Sequence, residues 1–325
     1  MNQKSVNNLD NNEKYELSII IVNWNAKKFL YECLNSIYTT TNKTKFDIWV
    51  IDNNSSDGSA EMVEKEFPEV NLICTGVNSG FAKANNIGIR KSNSRYVCLI
   101  NPDVKVLNNC IDLLVSYIKQ NPRIGIIGPK ILNPDLTLQS SAYGFPTIWN
   151  SLIHSLGLHK TFPRSRIFRS FYRKYWPDNM TRQVDVLSGC FWVLRRKAIK
   201  KVGLLDEDFF MYREDFDFCR RMLKAGWDIV YFPEAQAIHY GGGSSSNTPI
   251  SCTIESLRAS ITYWRKHHGE MGRLYIQLLS FIRQSLLFIQ GVIYYIIKPS
   301  KRKEIIRNME QNIAGLRWLL CGNNS

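Results

Sequence analysis

Two adjacent acids, Glu214 and Asp215, stand where residues 205–226 (LDEDFFMYREDFDFCRRMLKAG) pass into a helical pattern. From there Phe216, Cys219 and Leu223 recur three and four apart, one face of a helix, which puts Asp215 in its first turn. Unpaired backbone N–H groups at that end favour an ionised carboxylate, the form a general base needs. The same acids, with Asp217, also read as an ordinary helix start. Neighbouring helical residues point about 100° apart, so Glu214 and Asp215 do not face one substrate equally. Asp217, four residues before Arg221, is spaced to bond it.

Groups able to hold a ligand recur where short apolar runs end. The run 17–24 (LSIIIVNW) closes on Asn23 and Asn25, and the run 48–51 stops at the polar loop 52–59, which begins with Asp52 and includes Asp57. A third run, 71–75, precedes Asn78, Gly80 and Phe81, and a fourth, 96–100, ends at Asn101, Pro102 and Asp103. Helical patterns fill 25–38, 59–67, 80–91 and 107–119, and a further strand spans 124–132. This alternation predicts an α/β fold with a doubly wound, mostly parallel sheet. In such sheets ligands gather at the carboxyl ends of the strands. Any one of these clusters is only a turn signal; their shared position is what points to a cleft.

Beyond residue 132 the pattern loosens. The strand 184–194 is interrupted at Ser188-Gly189-Cys190, and a glycine there marks a bulge or a close backbone approach. Trp192, Phe209, Phe210 and Tyr212 offer aromatic faces either to a ligand or to core packing. A strand at 228–232 leads to Ala237-Ile238-His239-Tyr240 and then a hinge at 241–246. Between His159 and Trp176 six Lys and Arg residues lie among aromatics with no acid, suiting a solvated surface or a site for pyrophosphate or anionic lipid.

The chain has 325 residues, 44% of them hydrophobic, enough for one large domain with an appendage or for two. Its 42 Lys and Arg against 28 Asp and Glu give +14, which suits phosphorylated partners or an anionic membrane surface. The basic residues cluster at 160–182 and in the tail, while the strand ends are polar and acidic, which argues against a nucleic-acid partner. Eight cysteines without CxxC spacing read as reduced core residues in a reducing compartment and against structural zinc. The Asn-rich residues 1–16 lack an apolar signal core and read as a disordered lead-in. The catalytic domain is expected over 17–246 and a helical region over 247–325.

That last region contains the apolar stretch 274–297. Arg283 near its middle would cost about 2.5–3.5 kcal/mol in a membrane span. Arg273, Gln277, Ser280, Gln284 and Gly291 fall within about 60° of one another on a helical wheel, and Arg283 and Gln290 widen the stripe to about 140°. A polar stripe flanked by basic residues fits a helix lying in a membrane interface, or one packed on the catalytic domain.

Taken as an ordered set, IIIVNWN, VIDNNSSDGS, NSGFAKANNIG, LINPDV, LSGCFWVLRR, FFMYREDFDFCRRMLKAGW and AIHYGGGSS resemble the family 2 glycosyltransferases of GT-A fold, most closely their rhamnosyltransferase-like branch. The resemblance covers about residues 17–246. It implies inverting transfer of a sugar from a nucleoside diphosphate to a hydroxyl. It also implies that Asn23 and the backbone near Val22 contact the nucleotide and Asp52 its base, and that Asn78, Gly80, Phe81 and Asn86 approach nucleotide and sugar. Asp103 matches the last acid of the family's DxD motif, which holds Mg2+ or Mn2+ on the diphosphate; His239 matches a histidine that completes the metal site in some relatives, and Asp215 matches the base, with Glu214 the competing choice.

Here the DxD motif reads Asn101-Pro102-Asp103, leaving one carboxylate. Asn101 can still bond a ribose or phosphate, and Mg2+ commonly keeps waters with one or two protein carboxylates. The branch suggests dTDP-L-rhamnose as donor, with UDP sugars (glucosyl, galactosyl or N-acetylhexosaminyl) as the alternative. A lipid-linked saccharide acceptor in cell-surface polysaccharide synthesis follows, with the protein peripheral on the cytoplasmic face of the membrane. Competing classes fit less well. A nucleotidyltransferase would need an N-terminal Gly-rich basic phosphate loop, and a non-catalytic nucleotide-sugar binder would be free to lose Asp215, Asp103 and His239.

Overall fold

The computed structural model describes residues 14–162, 165, 179–242 and 249–322. Most of the lead-in before residue 17, most of the basic segment 159–176 and residues 243–246 of the expected hinge lie outside the described residues.

At the centre stands β1 (Leu17–Asn23), buried along its whole length, as a strand covered on both faces must be. It pairs in parallel with β2 (Phe46–Asp52) and β4 (Tyr96–Ile100), and β3 (Asn71–Cys74) joins β2 in parallel. The register sets Asn23 against Asp52 and Asp52 against Cys74, so the strands finish level. The polar strand ends therefore share one edge. Side chains alternate between two cores: Leu17, Ile19 and Ile21 meet α1 (Lys27–Thr40), α2 (Ser59–Glu66) and α4 (Cys110–Gln120), while Ile20 and Val22 meet α3 (Phe81–Lys91) and later helices.

The second half of the sheet is mixed. β10 (Phe191–Arg195) lies antiparallel between β4 and β6 (Ile124–Leu132). β11 (Asp228–His239) runs parallel to β6 and carries β5 (Val104–Val106) and β8 (Arg182–Gln183) antiparallel. The order is β3-β2-β1-β4-β10-β6-β11-β5, with β8 on β11. Thus β1, β2, β3, β4, β6 and β11 point one way and the rest the other, the mostly parallel sheet expected. β7 (Ala142–Tyr143) and β9 (Val186–Leu187) form a separate small ladder. Two details differ from the sequence reading. Val104–Val106 is pulled into a strand, so α4 starts at Cys110 and not at 107. The runs at 228–232 and 237–239 are one strand, with a register shift around Pro233 where a ladder N–H is missing.

The remaining helices are α5 (Ile148–Ser155), α6 (Leu158–Thr161), α7 (Arg196–Val202), α8 (Glu214–Lys224), α9 (Pro249–Ile297) and α10 (Arg302–Cys321). Gly269 (φ 66°, ψ −165°) breaks α9 into segments 249–268 and 270–297. The first segment is built into the core beside the sheet: Ala259, Ile261, Tyr263 and Trp264 pack in the cluster that holds Phe216, Phe218 and Met222 of α8. Asp217 fastens the two helices. It is fully buried and accepts from Arg221 Nε (2.7 Å), Lys266 Nζ (2.8 Å) and His267 Nε2 (2.9 Å). Burial opposes ionisation of Asp217, but bonds from His267, Lys266 and Arg221 outweigh it and hold the carboxyl well below its ordinary range.

In the second segment of α9 the polar stripe packs inward against the protein. Ser280 and Gln284 are buried, Arg283 donates to the His154 carbonyl (2.8 Å), and Gly291 sits against Met309 of α10. The apolar residues Leu274, Leu278, Ile289, Ile293, Ile296 and Ile297 are the exposed ones. By length and composition α9 is also the one helix, among the described residues, apolar enough to cross a membrane. Five cysteines, at 33, 98, 110, 190 and 219, are buried as expected; Cys74 and Cys321 are exposed, and all eight are free thiols.

The Asp217 cluster yields a stability prediction. Removing the carboxylate takes the shared acceptor from the partly exposed Arg221 and Lys266 and from the buried His267 imidazole, so Asp217→Ala is expected to lower unfolding free energy by about 1.5–3 kcal/mol. Urea denaturation checks this, and a loss under about 1 kcal/mol would show that the cluster does not hold α8 to α9.

Candidate active site

The loops after β1, β2 and β3 are sewn together by side-chain amides. Asn23 Nδ2 donates to Asp52 Oδ2 (3.0 Å) and Ser55 Oγ (3.0 Å), and Ser55 N donates to Asp52 Oδ1 (2.8 Å). Asn53 Nδ2 donates to Asn78 Oδ1 (2.8 Å) and the Gly80 carbonyl (3.2 Å), while its Oδ1 accepts from Ser79 N (2.9 Å). Val22 lies buried just before Asn23. Asn23 Oδ1 is buried without a partner among the described residues, an acceptor that a ligand would satisfy. Gly80 (φ 83°) starts α3, and a Cβ there would collide with the Phe210 carbonyl. That carbonyl also accepts from Phe81 N (2.6 Å), so the loop before α8 is pinned to the loop before α3.

Asn86 does not join this group. It is fully buried, with Nδ2 donating to the Leu205 carbonyl (2.8 Å) and Glu207 Oε1 (2.9 Å) and Oδ1 accepting from Leu205 N (3.1 Å). With both ends of its amide committed, it holds residues 205–207 against α3.

Across the cleft, Asp103 follows β4 and His239 ends β11. Asp103 Oδ1 lies 3.2 Å from His239 Nε2, and Tyr240 N donates to the Asp103 carbonyl (3.0 Å). His239 Nδ1 lies 2.6 Å from Gln139 Oε1, while Gln139 Nε2 donates to the His239 carbonyl (3.0 Å) and Asn133 Oδ1 (2.9 Å). Those two donations fix the glutamine oxygen as acceptor and so make Nδ1 a donor. Nε2 faces Asp103 Oδ1, to which it can donate directly or beside which it can act as a second ligand for a cation. Adjacent ligands of an octahedral cation with bonds of about 2.1 Å stand about 3.0 Å apart, so this spacing fits a divalent ion bridging the two. No third His, Cys, Asp or Glu completes a protein-only cage among the described residues, which leaves further positions to phosphate and water. Asn101 Oδ1, next to this pair in sequence, is a buried acceptor without a partner among the described residues.

The base candidates approach from the third side. Gly189, in the interrupted strand, donates its N–H to Asp215 Oδ2 (3.3 Å), and a Cβ on this glycine would stand 3.4 Å from Asp215 Cβ. The close approach expected at Gly189 is thus to Asp215. Next to it, Cys190 O accepts from Asn101 N (2.9 Å), so the Asp215 and Asp103 loops share one strut. Burial pushes the Cys190 thiol up to about 12, against a Ser188 hydrogen bond, and both Asp103 and Asp215 add to the rise. Tyr212 (φ 71°) and Arg213 (φ 66°) precede the acids in left-handed conformations, which cost about 1–3 kcal/mol each and which the Phe210 contacts help to hold.

Glu214 is buried and its Oε2 has no partner among the described residues; Asp215 is half-buried. Burial first, then the Asp215 charge, pushes Glu214 up to about 8, so it is protonated at neutral pH. Burial also raises Asp215, opposed by Arg213 and by N–H donations from Phe216 and Gly189.

Asn53 and Gln139 organise the cleft, yet neither stood out in the sequence. Asn53 sits inside a run of turn residues and Gln139 in an irregular stretch, and only tertiary placement distinguishes them. Of the aromatic candidates, Trp192 and Phe209 are core, 1% exposed each, and only Phe210 and Tyr212 reach the surface.

The architecture and the ordered strand-end groups agree with known proteins. The model of Glycosyl transferase family 2 matches residues 18–203. The N-acetylglucosaminyl-diphospho-decaprenol L-rhamnosyltransferase of Mycobacterium tuberculosis is 31% identical over 268 residues, 79% of this chain and 86% of that one. The dTDP-rhamnosyl transferase RfbF of Shigella flexneri is 24% identical over 318 residues, covering 93% and 96%. Among solved structures, the mannosyltransferase PcManGT of Pyrobaculum calidifontis, in complex with GDP-Man and Mn2+, aligns with TM-score 0.55 at 12% identity, over 96% of this chain and 89% of that one, which shows the shared GT-A fold. With its strand ends level, its cleft on their edge and these relatives, the chain belongs to glycosyl transferase family 2, in the rhamnosyltransferase-like branch.

Proposed function

We propose that this cleft moves a sugar, with inversion, from a nucleoside diphosphate to a hydroxyl of a saccharide acceptor. The observation that carries the reading is the shared strut: Gly189 and Cys190 set a half-buried carboxylate, Asp215, opposite the Asp103–His239 pair. The loops bearing Val22, Asn23, Asp52, Asn78, Gly80, Phe81 and Asn101 receive the donor, with Asp52 toward the base. A divalent cation, Mg2+ or Mn2+, held by Asp103 and His239 would supply positive charge to the leaving diphosphate. As the acceptor oxygen bonds the sugar carbon and the bond to the diphosphate oxygen breaks, the hydroxyl proton passes to Asp215. One carboxylate suffices for direct displacement, and Glu214, protonated, keeps a second negative charge away from the base.

The relatives support a reading of donor and acceptor. The two rhamnosyltransferases favour dTDP-L-rhamnose, and the decaprenol-linked substrate of one favours a lipid-linked diphosphate saccharide in cell-surface polysaccharide synthesis. The exposed apolar face of segment 270–297, beside the basic residues Lys298, Lys301 and Arg302, suits contact with an anionic membrane at its cytoplasmic side.

Screening nucleotide sugars for metal-dependent hydrolysis tests the reading; no turnover of any donor would refute it. Asp215→Asn is expected to keep donor binding and lose transfer by about 100-fold to 10,000-fold, and near-normal turnover would remove Asp215 as base. Asp103→Ala is expected to weaken nucleotide binding more with metal present than without it, as titration with and without chelator would read.

A pH prediction separates the two acids. The folded chain retains a proton on Glu214 that the unfolded chain releases above the ordinary value of 4.5, so this site erodes stability as pH rises from there to about 8. Glu214→Gln removes that slope, on the order of 1 kcal/mol per pH unit, while retaining transfer within a few-fold. Melting temperatures of variant and parent are expected to diverge between about pH 5 and pH 8.5 in the variant's favour; parallel curves would disprove the protonated state.

A further inference from the structure

The polar stripe of α9 faces a cavity of about 570 Å³ lying between α5, α9, α10 and the residues just before α8. None of Asn23, Asp52, Asn78 or Asp103 lines it, so it is distinct from the donor side of the cleft. Two of its walls nevertheless adjoin the candidate site along the chain: Arg213 is two residues before Asp215, whose charge it offsets, and Gly242 is three beyond His239.

The lining indicates the ligand's chemistry. It combines serine hydroxyls and side-chain amides with Arg213, Arg283 and His154, and no carboxylate is among the described lining residues. Gln284 is the most informative of them. It is 7% exposed, and its Oε1 has no hydrogen-bond partner among the described residues. An unpaired amide oxygen is unfavourable inside a protein, and an apolar side chain of similar length would fill the place without that penalty. The volume is within the range of small-molecule sites.

We infer that this cavity holds the saccharide diphosphate headgroup of the acceptor, with Gln284 Oε1 accepting a sugar hydroxyl and Arg213 and Arg283 beside the diphosphate. The inference rests on the glycosyl-transfer reading above and names the place where that reaction's second substrate binds.

Titration calorimetry tests it with a hexosaminyl diphosphate esterified to a short prenyl alcohol, in the absence of donor. Gln284→Leu is expected to weaken binding of this probe about tenfold, the loss of one hydrogen bond from a buried group. Acceptor-free hydrolysis of the nucleotide sugar stays unchanged and the melting temperature stays equal or rises, whereas a purely structural glutamine would leave probe affinity unaltered. Unaltered affinity in the variant, or no binding by the parent chain, overturns the inference. Should Gln284→Leu fail to fold, Ser151→Leu fills the cavity from α5 and carries the same expected loss. The chain-free sugar diphosphate, run alongside, must show the same dependence on Gln284; affinity that follows the prenyl chain alone also overturns it. Probe binding with no nucleotide-sugar hydrolysis would support the cavity and count instead against glycosyl transfer.

Discussion

Two carboxyl groups on neighbouring residues cannot both stay ionised in one buried pocket, because each charge loses water and meets the other. The start of α8 resolves this by asymmetry. Glu214 is turned inward, without a partner for Oε2 among the described residues, and takes the proton; Asp215 is turned toward Gly189, whose N–H stabilises its charge. Much of the surrounding structure serves that split. Tyr212 and Arg213 adopt left-handed backbone so that the helix begins at Glu214, and the Phe210 carbonyl anchors that turn to the start of α3. At Gly80 a side chain would push these loops apart, and at Gly189 it would stand against Asp215.

The opposite end of the same constraint is Asp217. A helix whose first turn carries a strained entry and an unpaired acid needs fixing elsewhere, and Asp217 fixes it through Arg221 within the helix and Lys266 and His267 outside it. The first segment of α9 is consequently part of the catalytic scaffold, packed in the core that contains Phe216 and Phe218. Asn86 plays the matching role one layer away, holding residues 205–207 to α3.

What was legible in the sequence follows from the range of the signals. β1 to β4 and the polar loops after them are written in local patterns: unbroken apolar runs, then turn residues, then a helical spacing. That Glu214 and Asp215 face different ways was also local, since neighbouring helical residues diverge, whereas the choice between them rested on the family resemblance. Asn53, Gln139 and Asn86 act only through partners distant in the chain, and an asparagine in a polar loop looks the same whether it organises a cleft or faces water. β5 was missed because a three-residue strand forms only when β11 supplies its partner. The polar stripe on α9 was found, but periodicity gives the presence of two faces and not which one is wet; the buried Ser280 and Gln284 show that it turned inward.

The placement of β10 has a consequence for how the chain is made. β10 is hydrogen-bonded between β4 and β6, yet it follows both in sequence, so the two edges cannot be joined until Phe191–Arg195 has been synthesised. At about 5–20 residues per second, the chain between Leu132 and Phe191 takes about 3–12 s to emerge, during which two apolar strand edges wait unpaired. The nascent protein is therefore most vulnerable to intermolecular pairing in that interval, and the ribosome-bound N-terminal half, which holds most of the nucleotide-side loops, cannot be a finished half of the enzyme.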